Sequence, residues 1–188
     1  ITIGNAIRRV LLGSLEGYAI CSIKISGIDH EFATIPGAIT DVTNLILNLK
    51  QVRFIRKEGM EAETETFRLH VNKSKSFKAG DFNVVLQNFE VLNPELQLAE
   101  LDESADFEIE LTVNKGRGYV PGDENRKKDD PIGTLAIDSI YTPVERVNLT
   151  VENTRVGQMT DYDKLTLDVY TNGTLAPDEA VSLAAKVL

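Results

Sequence analysis

TIGNAIRRVLLGSL, residues 2–15, predicts an amphipathic helix whose apolar arc is too wide for one neighbour. At about 100° per residue, Ile3, Ala6, Ile7, Val10, Leu11, Leu12 and Leu15 cover well over half of its circumference. A single sheet face cannot cover all of that surface. On the same wheel Arg9 points away from the Ile3, Ile7 and Val10 stripe, whereas Arg8 lies between Leu12 and Leu15 on the flank of the arc. Two guanidinium groups among so many apolar residues need carboxylates or carbonyls to meet them. An exposed Arg9 beside Leu12 has the composition of a protein-interface hot spot; the blander reading is an ordinary surface arginine.

The far end of the chain repeats the pattern. Pro177 suits a first helical turn, and Asp178 and Glu179 sit well at the positive end of a helix dipole. Ala180, Val181, Ala184, Val187 and Leu188 then make a broad apolar face. Two terminal helices that are both too apolar for one partner, with a β-rich block between them, imply a platform domain carrying a large insertion. The terminal pieces are expected to fold together and to pair with another copy.

Between the helices the period changes from helical to two. Ala19, Cys21, Ile23 and Ile25 alternate with Ser22, Lys24 and Ser26, which predicts a strand with one wet face. A second amphipathic helix is expected from Thr40, as N-cap, through Val42, Leu45, Ile46 and Leu49 to Lys50. From Val52 to Val113 the chain reads as essentially all β, most clearly at Phe67, Leu69, Val71 and at Phe107, Ile109, Leu111, Val113. Gly116 to Pro131 reads as a solvated loop; strands return at Leu135–Ile140, Val147–Val151 and Leu165–Val169.

The composition narrows the function classes. The 188 residues are 42% hydrophobic and 26% charged, ordinary for a folded chain, and no run approaches the roughly 20 apolar residues of a membrane-spanning helix. A formal charge of -9 disfavours broad contact with a phosphate backbone, which needs clustered Lys and Arg. Cys21, the single cysteine, excludes an internal disulfide and fits a reducing compartment as a buried, inert thiol. The sequons at Asn72, Asn148 and Asn172 are common by chance and carry no weight beside the absent leader pattern. Because the sequence starts at Ile1 on residues already resembling a helix interior, it is expected to be a fragment.

A search for catalytic machinery returns nothing. His30 and His70, both in strand-like segments, lack His, Cys or acidic neighbours at ligand spacing, and a structural or surface role is expected for each. Gly116 and Gly118 lack the third glycine and helix start of a phosphate loop. The pairs Asp161, Asp163 and Asp129, Asp130 lack a calcium-loop pattern and read as solvated acids. No metal or cofactor is expected.

The motifs nevertheless carry a resemblance. TIGNAIRRVLL at 2–12, HEF from His30, LNLK ending at Lys50, GRGYVP at 116–121 and PIGTLAIDSIYTPVER at 131–146 resemble the bacterial RNA polymerase alpha subunit family. VENTRV, TDYDKL and TNGTLAPDEA extend the likeness to the last helix, and only about 53–106 matches loosely. The resemblance implies an α+β fold: a discontinuous two-layer dimerisation domain, helices on a β-sheet, at 1–16 plus 141–188, and an inserted β-rich domain at 17–140. It implies a homodimer joined through Ile3, Ile7, Val10, Leu11, Val181, Ala184, Val187 and Leu188. Arg9, Leu12 and Lys50 fall on beta-subunit contacts, and Asp138, Tyr141, Pro143, Val144 and Lys164 on beta-prime contacts. The implied role is a cytoplasmic, non-catalytic scaffold, with the magnesium-binding aspartates on beta prime and no NADFDGD run here. Ala176 departs from the family, many of whose members have an Asp that can cap the last helix. The rivals are a standalone hydrolase or sugar-binding β-rich protein, and the archaeal or eukaryotic relative of alpha.

Overall fold

The computed structural model describes residues 1–72 and 76–188, so Lys73 and Ser74 of the Asn72 sequon lie outside the described residues. The chain divides into two compact units, Ile1–Glu16 with Thr142–Leu188, and Gly17–Tyr141. Its helices and antiparallel strands make it an α+β protein.

The first unit packs helices α1 (Thr2–Gly13) and α4 (Pro177–Val187) on a long hairpin of β11 (Val144–Val156) and β12 (Met159–Thr171). The hairpin register sets apolar residues opposite one another, Val147 with Val169, Leu149 with Leu167 and Val151 with Leu165. Such cross-strand pairs are the unit of sheet stabilisation. Gly157, at φ +63°, makes the turn between the strands. At Gly4 α1 meets the hairpin with its backbone: a Cβ there would collide with Leu149 and Leu165. The buried cluster is small, formed by Leu11, Leu15, Val144, Val147, Ala180 and Ala184. Ala180 and Ala184, one turn apart and short, let α1 and α4 come together.

The second unit is built on a four-stranded sheet in the order β3 (Thr64–Asn72), β7 (Asp106–Arg117), β1 (Glu16–Ile25), β9 (Thr134–Ala136). Phe107, Ile109, Leu111 and Val113 are buried while Glu108, Glu110 and Thr112 take the other face, because successive strand residues alternate. These residues join Val42, Leu45, Ile46 and Leu49 of helix α2 (Val42–Leu49) in one core, with Phe77 and Phe82 in edge-on contact at 5.5 Å. Short ribbons pair β2 (Phe54–Arg56) with β5 (Phe89–Val91), β4 (Ser76–Lys78) with β6 (Gln97–Glu100), and β8 (Tyr119–Val120) with β10 (Ser139–Ile140).

Several expectations change. Asp41, not Thr40, caps α2, accepting from the Asn44 amide at 2.8 Å, while the Thr40 hydroxyl accepts from the Glu100 amide at 2.9 Å. The middle block is interrupted by a 3-10 helix, Ala79–Val84, which buries Phe82 and is held by the Lys78 amide donating to Asp81 at 3.0 Å. Residues 116–131 are no simple loop: β7 runs to Arg117, β8 follows, and Gly122–Asn125 forms a short helix α3. His30 lies in a loop, whereas His70 lies on β3 with Nε2 2.6 Å from an Asp106 carboxylate oxygen.

Candidate assembly surface

The sequence-predicted positions on α1 separate by depth. Leu11, and Leu15 just past the helix, are buried, and Ile7 and Val10 are half-buried beside them; Gly4, which the sequence did not single out, is buried as well. Ile3, on the same flank as Ile7 and Val10, stays 70% exposed. Arg9 and Leu12 are exposed on the side turned away from the hairpin, and no ion pair between described residues engages Arg9. On α4, Ala184 is buried and Val181 half-buried, while Val187 and Leu188 are 60% and 63% exposed. Leu11 and Ala184 are closed inside their own unit, in the cluster that α1, α4 and the hairpin form.

The beta-prime positions separate likewise. Tyr141, Pro143 and Val144 are buried. Tyr141 is a wedge under β7: its ring fills the space a Cβ on Gly116 would occupy, and its hydroxyl donates to Asn114 Oδ1 at 2.6 Å. Burial pushes its phenol pKa up. Lys164 is exposed on β12, 4.0 Å from Glu152 across the hairpin.

Lys50 and Asp138, which the resemblance assigns to different partners, meet each other. Lys50 Nζ lies 2.8 Å from Asp138 Oδ2, and Asp138 Oδ1 accepts from the Gly122 amide at 2.8 Å. The Lys50 ammonium, then the Gly122 amide, hold the Asp138 carboxyl below the usual carboxylate range. Beside them Asn125 Nδ2 donates to the Ile137 carbonyl at 2.7 Å and to Ser139 Oγ at 2.9 Å, and Ser139 Oγ donates to the Ile20 carbonyl at 2.8 Å. Sequence reasoning missed Asn125, Gly122 and Ser139; the one available hint was that Gly122 stands between a proline and an acidic pair.

Among the described residues no group of three His, Cys, Asp or Glu side chains stands close enough to hold a metal ion. Cys21 is buried on β1, its thiol pKa raised by burial. No helix among the described residues is long and apolar enough to cross a membrane.

Fold and surface together define a class: a two-unit α+β chain whose terminal helices leave apolar positions exposed beside Arg9. Comparison with known proteins sharpens this. Residues 23–142 match the family model described as the RNA polymerase Rpb3/RpoA insert domain. All 188 residues align at 54% identity with the DNA-directed RNA polymerase subunit alpha of Phocaeicola vulgatus and with that of Porphyromonas gingivalis. The subunit of Symbiobacterium thermophilum is 50% identical over the same span. The chain belongs to the bacterial RNA polymerase alpha family. It covers 57% of the length of the first two relatives and 58% of the third.

Proposed function

We propose that the chain is the assembly platform of a cytoplasmic bacterial RNA polymerase. Its first unit pairs with a second alpha copy through the Ile3, Ile7, Val10 flank of α1 and Val181, Val187, Leu188 of α4. The outer side of α1, with Arg9 and Leu12, engages beta; Lys164 on β12 belongs to the beta-prime side. Nucleotide chemistry, metal and template contact then reside in the other subunits, and this chain supplies geometry to transcription.

One observation carries the reading. A unit whose buried cluster is only six side chains leaves Ile3, Val187 and Leu188 largely uncovered. Large apolar side chains left uncovered on both terminal helices are what an interaction site supplies. Arg9 beside Leu12 adds an anchor of the type enriched in interface hot spots.

The test uses the full-length subunit. Arg9→Ala removes an exposed side chain on the side of α1 opposite the Leu11 face, so the dimer persists. Capture of the cognate beta subunit should weaken by at least about tenfold, the equivalent of about 1.4 kcal/mol. Undiminished capture would reject Arg9 as the anchor.

A further inference from the structure

We infer that Lys50 and Asp138 serve assembly as positioning residues: their ion pair locks the segment 119–140 onto the end of α2, and neither delivers its charge to a partner. The inference rests on the scaffold reading above, and it changes how these two positions act within it.

Asp138 joins three parts of the second unit. It lies between β9 and β10, it receives the Lys50 ammonium from the residue that follows α2, and it receives the amide that opens α3. Its two carboxylate oxygens are divided between these donors, Oδ2 to Lys50 and Oδ1 to Gly122. Gly122 fits tightly, since a Cβ there would stand 3.0 Å from the Ala136 carbonyl oxygen and 3.3 Å from Asp138 Oδ1. That closeness aims the amide at the carboxylate.

Lys50 has little charge to offer elsewhere. Its side chain is only 21% exposed, and its ammonium is at hydrogen-bonding distance from a carboxylate held ionised by two donors. Moving it to a partner would leave Asp138 with only the Gly122 amide and the Tyr119 side chain, both within the same segment. The Asp138 side chain is 39% exposed, so water can reach the carboxylate and closure rests on the geometry that brings Lys50 and Gly122 to its two oxygens.

The rest of the segment leans on the same anchor. Ser139, buried, bridges Asn125 of α3 to the Ile20 carbonyl of β1, and β8 pairs with β10 at Val120 with Ser139 and Tyr119 with Ile140. Opening Asp138 frees the start of α3 from this frame, so loss of either charge loosens 119–126 before any partner arrives.

A double-mutant cycle in the full-length subunit separates positioning from contact. Lys50→Met removes the ammonium and keeps the stem; Asp138→Asn removes the carboxylate charge but keeps an acceptor for Gly122. The readouts are amide hydrogen exchange of 119–126 in the subunit alone, and capture of cognate beta and beta prime. Each single variant should raise exchange at least about tenfold and weaken capture, with the double variant no worse than the weaker single one. Lys50→Arg should restore both. Unchanged exchange in Lys50→Met overturns the lock whatever capture does, and an equal loss on Lys50→Met in both backgrounds shows direct contact and also overturns it. Wild-type subunit that captures neither partner sinks the scaffold reading instead, and the exchange comparison still decides the lock.

Discussion

At Gly4 the first helix touches its hairpin with backbone alone, and the side chains it meets are Leu149 and Leu165. A larger residue must displace the ends of both leucine side chains or shift α1. Overpacking of this kind costs about 1–3 kcal/mol. Gly4→Val should therefore lower the thermal midpoint of the subunit, whereas Gly13→Ala, with open space around its Cβ position, should not. Gly4 gave no warning in the sequence, because an isolated glycine in a helical pattern reads as a mild propensity fault. The Lys50–Asp138 pair was hidden for a related reason: its members stand 88 residues apart, and no local period connects them.

Elements were easier to read where burial and period coincide. The alternation at Phe107 to Val113 is that of β7, and the spacing of Val42, Leu45, Ile46 and Leu49 is that of α2. Failures fell where long-range hydrogen bonds outrank local pattern. Thr40 and Asp41 are both able caps, and Thr40 was taken by the Glu100 amide of β6. Residues 116–131 looked solvated because their order comes from Asn125 and Ser139 bonds to distant backbone. The last helix has a remediable end: Ala176 stands at its N-cap and no side chain accepts there. Ala176→Asp supplies that acceptor and should add about 0.5–2 kcal/mol, read as a higher melting midpoint. An unchanged midpoint would mean that packing of Ala180 and Ala184 alone fixes the helix.

For the molecule as a whole, the terminal helices were recognisable from their excess of apolar positions, but the division of those positions was not. A wheel cannot tell Leu11, which closes the unit's own core, from Ile3, which stays outside it. Only the hairpin's placement under α1 separates them. That separation also chooses the most informative variant, since a charge at Ile3 or Val187 enters no core within the unit, while a second copy seated there would bury it unpaired. Light scattering on the size-fractionated full-length subunit is the direct measurement: at micromolar concentration the wild type should run at twice the chain mass, and Ile3→Glu combined with Val187→Glu at one chain mass with its melting profile still cooperative. A wild type of single mass, or a doubly charged variant that keeps the double mass, would contradict the account.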